Sequence, residues 1–262
     1  MSELIQFYNG RRVLDRESFH EEFSTDAYLK DFYSRIDDQA MQFVLNFLPT
    51  LVARVGKIDR VLDFGAGPTI HVAVAFRNTA EEIYIADYLP QNRNELLKWH
   101  NKSSHFEWDE TIRILAKAEG TPYTEQGTME QSARDKVKGI FHCDCLKSPS
   151  VDAPQNLVGQ FNAIVTIFCI EYCCKNQAEY KQSIANVAEQ IAPGGHFIMG
   201  GILEETWASF GGRIFSCLYI TQEFMFQTLR DAGLEVDDPK QCVYYEVNGI
   251  FLICAKKKAP EQ

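Results

Sequence analysis

An α/β fold built on an open, mostly parallel sheet of seven strands is predicted by three observations. Short apolar runs that read as buried strands alternate with amphipathic helical stretches from Arg60 onward. The first of these strands ends in a glycine loop, Gly65-Ala66-Gly67, that opens a helix. The chain closes on two strand-like runs joined by Asn248-Gly249, the pattern of a tight C-terminal antiparallel hairpin. At 262 residues, 45% hydrophobic and 12% aromatic, the chain supports one large core, so a single domain over 1–262 is expected.

The first 56 residues read as helical. Ser18 to Tyr33 and Asp38 to Val55 carry apolar residues three and four apart, and Asp37-Asp38 supplies a cap between them. Arg60 to Phe64 is the first buried strand, and Pro68 suits the first turn of a helix over Thr69 to Arg77. Glu82 to Ala86 is the second strand, with a helix running on to Trp99. The polar stretch from Asn101 to Lys136 reads as a helix followed by a mobile loop, Glu119 to Met129. Val137 to His142, Phe161 to Ile167 and His196 to Gly200 supply strands three to five. Helices are expected at Gln177 to Ile191, closed by Ala192-Pro-Gly-Gly195, and at Thr221 to Ala232. Gln241 to Val247 and Ile250 to Ala255 form the terminal hairpin, an antiparallel addition to a parallel sheet.

Charge and composition exclude several classes. Lys and Arg number 26 against 36 Asp and Glu, a net charge of −10 that disfavours a nucleic-acid partner. The longest apolar run, Ala163 to Ile170 broken by Thr166, falls far short of the ~18 residues of a membrane span. Met1 to Asn9 shows no basic flank before an apolar core, so no export signal and a cytoplasmic location are expected. Four of the eight cysteines fall as Cys143-x-Cys145 and Cys173-Cys174, without the paired spacing of a structural zinc site. Reduced buried thiols are one reading. A catalytic cysteine among Cys169, Cys173 and Cys174 is the other. No metal is expected.

Three strand ends carry groups in an informative order. Asp63-Phe-Gly65-Ala-Gly67 lets backbone approach a ligand closely, although a tight βα turn needs the same glycines. Asp87, twenty residues past Gly67, can accept both hydroxyls of a ribose. Asp144, between Cys143 and Cys145, can accept from an adenine amino group. A dinucleotide loop carries a third glycine where Ile70 stands, and Pro68 removes an amide that a phosphate could use. The pattern fits a nucleoside cofactor without phosphates, S-adenosylmethionine.

Asp63-Phe-Gly-Ala-Gly-Pro-Thr69, Asp87-Tyr88 with Gln91-Asn92, Cys143-Asp144, Phe168-Cys-Ile-Glu171 and Pro193-Gly-Gly195 together resemble the nicotinamide, phenylethanolamine and indolethylamine N-methyltransferase family. The segment Ala27 to Tyr33 resembles that family's aromatic lid. The resemblance runs from about Tyr28 to Lys257. It implies a Rossmann-like, seven-stranded catalytic core over 57–262 beneath a helical N-terminal lid over 1–56. It also implies a cytoplasmic, monomeric enzyme that uses S-adenosylmethionine to methylate a small amine, with neither nucleic acid nor membrane as partner.

Carried over residue by residue, Tyr28 and Tyr33 would close over the cofactor, and Gly65, Ala66 and Gly67 would approach its methionine part. Aromatic faces attract a sulfonium cation, although Tyr28 and Tyr33, five apart on an amphipathic helix, also suit core packing. Asp87, with Tyr88 and Asn92 nearby, would hold the ribose; Asp144 and Cys145 would frame the adenine; Ile167 would contribute backbone. His71 stands where the family carries a tyrosine beside the cofactor.

The acceptor side rests on Glu171 and Glu205, which follow strands four and five and are expected on one rim. Methyl transfer to nitrogen needs an uncharged lone pair, and a carboxylate can attract an ammonium and take its proton. A surface glutamate without a role is the alternative for each. Phe168 would offer its ring to an aromatic acceptor, and Tyr245 and Glu246 lie where the phenylethanolamine branch has acids near the acceptor. Leu203 to Trp207 resembles that branch, whereas Phe215-Ser216-Cys217 resembles the indolethylamine branch. Gly200 and Gly201 stand where the nicotinamide branch has an acid, which points away from nicotinamide. The expected acceptor is an arylalkylamine. Transfer to sulfur, oxygen or a pyridine nitrogen, or cofactor binding without turnover, remains the alternative.

Overall fold

In the computed structural model, which describes residues 7–259, the apolar runs become one twisted sheet and the amphipathic runs its cover. The N-terminal part comprises β1 (Phe7–Tyr8), β2 (Arg11–Leu14), α1 (Phe19–Glu22), α2 (Thr25–Tyr33) and α3 (Gln39–Val55). The core follows with β3 (Ile58–Phe64), α4 (His71–Phe76), β4 (Ala80–Asp87), α5 (Pro90–His100), α6 (Asp109–Glu119), α7 (Gln126–Lys136), β5 (Val137–His142) and β6 (Phe161–Ile167). Next come α8 (Ile170–Cys173), α9 (Gln177–Glu189), β7 (Ile191–Ile202), β8 (Trp207–Phe210), β9 (Arg213–Ser216), α10 (Gln222–Asp231), β10 (Leu234–Glu235), β11 (Cys242–Val247) and β12 (Ile250–Lys257).

The central sheet runs β12-β7-β6-β3-β4-β5, with β10 and β11 both paired to β12. β3 to β7 are parallel, and their register places Leu62 beside both Tyr84 and Ile164. The chain builds outward from β3 to β5 and then returns to β6 on the other side of β3. That reversal opens a crevice at the carboxyl ends of β3 and β6, where ligands bind in doubly wound sheets. The hairpin does not simply extend the sheet: β12 inserts between β7 and β11, antiparallel to β7 from Lys256↔His196 to Ile250↔Ile202. Asn248 and Gly249 both have positive φ, 53° and 81°, as a two-residue turn of this twist requires. Strands buried on both faces, such as Val61-Leu62 and Ile164-Val165, explain why these runs are continuously apolar. Among the described residues, no helix is long and apolar enough to cross a membrane.

Several expectations are corrected. The N-terminal part is not all helix. β1 and β2 join β9 and β8 in a separate four-stranded sheet, in which Val13 pairs in parallel with Ile214; Met1 lies outside the described residues. The helix expected over Ser18 to Tyr33 breaks at Phe23, whose extended backbone (ψ 108°) ends α1. Ser24 then caps α2 through its side chain, which accepts from Ala27 N. Most of the loop expected over Glu119 to Met129 is helix or turn, because Met129 and Ala133 are buried and anchor α7 against the core. The helix expected to reach Ile191 stops at Glu189, and Ala192 to Gly195 belong to the long strand β7. Two-residue β10 makes the central sheet eight-stranded.

Candidate active site

The carboxyl ends of β3, β4, β5 and β6 face a cavity of about 420 Å³, roofed by α2 and the β8–β9 hairpin. At its centre the glycine loop is held by β4: the Gly65 and Ala66 amides donate to Ala86 O at 2.9 and 3.0 Å. Gly65 has φ +70°, and a Cβ there would lie 2.1 Å from Cys169 Sγ, so only glycine fits beside α8.

Asp87 organises the next wall. Its carboxylate accepts from Gly67 N at 2.7 Å, Leu89 N at 2.8 Å and Asn92 Nδ2 at 3.1 Å. Burial pushes this carboxyl up, against those hydrogen bonds, which favour its charge. Thr25 Oγ1 donates to Asn92 Oδ1 at 2.9 Å, which ties the start of α2 to the same network. Asp144 accepts from Leu146 N at 3.1 Å, and Asn186 Nδ2 donates to Cys145 O at 2.9 Å, fixing the loop after β5.

Tyr28, Tyr33 and His71 form another wall. Tyr33 Oη and His71 Nδ1 share a hydrogen bond of 3.3 Å, with the rings stacked 5.8 Å apart. Burial lowers the His71 pKa to about 4, so its imidazole is neutral at ordinary pH. His71 Nε2 is buried and has no partner among the described residues.

The remaining wall is aromatic. Tyr28, Phe23, Phe210 and Phe215 pack with ring centroids 4.5 to 6.3 Å apart, and Trp207 stacks on Tyr8 at 4.6 Å. Phe168, at the end of β6, sits at φ +49°, a conformation costly for a phenylalanine and held by its amide on Gly200 O at 2.9 Å. Glu205 lines the cavity after β7, with one carboxylate oxygen accepting from Thr206 N at 2.8 Å.

Every cofactor residue expected from the sequence lines this cavity: Tyr28, Tyr33, Gly65, Ala66, Gly67, His71, Asp87, Tyr88, Asn92, Asp144, Cys145 and Ile167. Phe168 and Glu205 line it too. Three acceptor-side residues do not. Glu171 is 4% exposed and lies behind the wall, its Oε1 accepting from Ile202 N at 3.3 Å, so it does not share a rim with Glu205. Burial raises its pKa to about 7. Tyr245 packs its ring on Phe47 at 5.0 Å, and Glu246 accepts from Gly249 N within its own hairpin turn.

No site role was expected of Arg16, Asp38, Phe23, Trp207, Phe210 or Phe215, all of which line the cavity; Trp207 and Phe215 entered only within segments that resemble two branches of the N-methyltransferase family. Asp38 was legible only as a helix cap. The hairpin aromatics lie on strands too short for an alternating pattern to show.

Residues 11–258 match the model of the NNMT/PNMT/TEMT family. The chain belongs to that family. A nicotinamide N-methyltransferase of Caenorhabditis elegans is 32% identical over 246 residues, covering 90% of each chain. A mouse indolethylamine N-methyltransferase is 27% identical over 234 residues, covering 87% of this chain and 88% of its own. A mouse phenylethanolamine N-methyltransferase is 26% identical over 256 residues, covering 91% and 86%. An O-methyltransferase family protein of Burkholderia thailandensis shares the fold, with a TM-score of 0.57, 17% identity and coverage of 94% of this chain and 64% of that one. This member of the family is therefore an S-adenosylmethionine-dependent N-methyltransferase. The residues present fit the cofactor. The buried, unpartnered His71 Nε2 offers a polar contact at the lid, the glycine loop leaves a face free of side chains, and Tyr28 Cε1 comes within 4.0 Å of where a Gly67 Cβ would stand.

Proposed function

We propose that this enzyme methylates the nitrogen of a small arylalkylamine, with the N-terminal lid and core acting as one domain and the aromatic wall receiving the ring. When bound, the cofactor supplies the sulfonium methyl group. Tyr28 and Tyr33 cover it, Asp87 with Asn92 and Tyr88 holds the ribose, Asp144 and Cys145 frame the adenine, and the Gly65–Gly67 loop and Ile167 present backbone. Glu205, on the cavity surface, attracts the ammonium form of the acceptor. Glu171, behind Ile202, takes its proton through water and leaves a neutral lone pair for in-line attack.

The observation that carries this reading is a buried carboxyl whose pKa is raised to about 7 beside a cavity lined by a second carboxylate and aromatic rings. The same reading takes the enzyme as a cytoplasmic monomer acting on a small molecule, and its charge of −10 weighs against a nucleic-acid partner. A second reading, transfer to a pyridine nitrogen, is favoured by the 32% identity to the C. elegans nicotinamide enzyme. Such a nitrogen is neutral and needs no base.

Labelled methyl transfer to phenylethanolamine, tryptamine and nicotinamide separates the two readings when repeated with Glu171→Gln and Glu205→Gln. Turnover of an arylalkylamine that both substitutions suppress is expected. Turnover of nicotinamide alone, unaffected by Glu171→Gln, would replace the first reading with the second.

A further inference from the structure

Asp38 caps α3 and also lines the cavity. Its Oδ1 accepts from Met41 N at 3.0 Å, and its Oδ2 has no bonding partner among the described residues. The turn that carries it is fixed. Ile36 is buried at φ +53°, and Gln42 Nε2 donates to Ile36 O at 3.0 Å. Asp38 therefore has little freedom to swing away from the cavity.

The other charged groups on the cavity wall are more fully engaged. Arg16 donates to Cys173 O and Glu179, Asp87 receives three donors, and Asp144 has Leu146 N and Lys147. Glu205 and Asp38 each keep one carboxylate oxygen without a protein partner, and they come from different elements: the connection after β7 and the start of α3. Both residues are partly exposed, so each free oxygen is open to a donor that enters the cavity. A site built to bond a donor also rejects an analogue that lacks one.

We propose that Asp38 is a specificity residue, whose free carboxylate oxygen accepts from a second hydrogen-bond donor on the acceptor, a hydroxyl or a second ammonium separate from the reacting nitrogen. This rests on the amine reading above and narrows it to arylalkylamines with a donor at both ends. Glu205 takes the reacting amine, and Asp38 takes the other end.

Asp38→Asn tests the idea without removing the helix cap, since asparagine caps as well as aspartate. Its amide oxygen keeps the bond to Met41 N, so the cavity then meets an amide donor instead of an acceptor. Binding of phenylethylamine and of its para-hydroxylated analogue, tyramine, is measured by calorimetry with S-adenosylhomocysteine present. The native enzyme should prefer tyramine by roughly tenfold or more, as a hydrogen bond to a charged group predicts. Asp38→Asn should abolish that preference while leaving the thermal midpoint unchanged. Equal affinity for the two amines, or a preference that survives the substitution, overturns the assignment of Asp38 alone. Failure of either amine to bind while S-adenosylhomocysteine binds overturns the amine reading and this proposal with it.

Discussion

The carboxylate of Glu171 fills the space that a side chain at Gly201 would occupy: a Cβ on Gly201 would lie 2.6 Å from Glu171 Oε1. The same Cβ would meet the Phe251 ring at 3.1 Å from the strand alongside. Gly201 thus does two things. It lets β7 and β12 pack closely, and it leaves room for a buried acid to reach the Ile202 amide. The acid expected to stand on the cavity rim is instead recessed behind it, in an apolar setting that holds its proton.

Gly201→Ala should push the Glu171 carboxylate off Ile202 N and overpack against Phe251, a change that costs about 1–3 kcal/mol in a well-packed core. A thermal midpoint several degrees lower is expected, together with a slower methyl-transfer step. Cofactor affinity should hold, because Gly201 does not line the cavity. Melting curves and cofactor calorimetry on the one variant check both parts. An unchanged midpoint would mean that the carboxylate has other room to move.

Glu171 also makes stability depend on pH. Its folded pKa, about 7, lies above the ordinary 4.5, so the folded state binds this proton more tightly than the unfolded chain does. That contribution is fully present below about pH 4.5 and is lost as pH rises through 7. By linkage it amounts to something on the order of 3 kcal/mol for so buried a group. Glu171→Gln cannot ionise, so it should melt above the native protein at pH 8 and level with it near pH 4. Native kcat should rise through pH about 7 as the base ionises, and the variant should lose that limb. A pH-rate profile alongside melting curves tests both.

Most of the parallel strands could be read from the chain because burial on both faces imposes an apolar run visible within the strand itself, whatever partner it takes: Val61 pairs with Ala163, far along the chain. The cavity residues Gly65 to Gly67, Asp87, Asp144 and Ile167 were legible for the same reason, sitting at or just past the ends of those strands. The small sheet was not. Val13 pairs with Ile214 across two hundred residues, and Arg11–Leu14 and Trp207–Phe210 are too short to carry a period. The cavity's aromatic roof depends on that pairing, so no site role could be read for Phe210 or Phe215. Hairpin register decided the fate of Tyr245 and Glu246: Tyr245 pairs with Leu252 and turns its ring to Phe47 on α3, away from the cavity.

Gly65→Ala should abolish tight cofactor binding. The added methyl group would overlap Cys169 Sγ at 2.1 Å and Cys169 Cβ at 2.9 Å, in a backbone conformation, φ +70°, that alanine resists. Relief requires the loop to shift away from the cofactor or α8 to move outward. At least a tenfold loss of affinity is expected, about 1.4 kcal/mol. Trimming the neighbour with Cys169→Ala should recover only part of it, because the backbone strain remains. Full recovery in the double variant would assign the whole effect to the thiol contact.

Asp87 is the acceptor on which one wall of the cavity is built, because one carboxylate satisfies the Gly67 and Leu89 amides and the Asn92 side chain together. Asp87→Asn keeps the shape and replaces one acceptor oxygen with a donor. If the remaining oxygen stays with Leu89 N and Asn92 Nδ2, the new amide group faces the Gly67 amide donor to donor, 2.7 Å away in the native protein. The loop must then open, and a buried amide is left unbonded at a cost of about 1–3 kcal/mol. Cofactor affinity should fall by roughly tenfold to a hundredfold, with a lower thermal midpoint even without ligand. Asn92→Ala, which removes one of the three donors and the tether to Thr25, should show a smaller loss of the same kind. If calorimetry finds Asp87→Asn binding S-adenosylhomocysteine as tightly as the native enzyme, the carboxylate neither shapes the glycine loop nor holds the ribose.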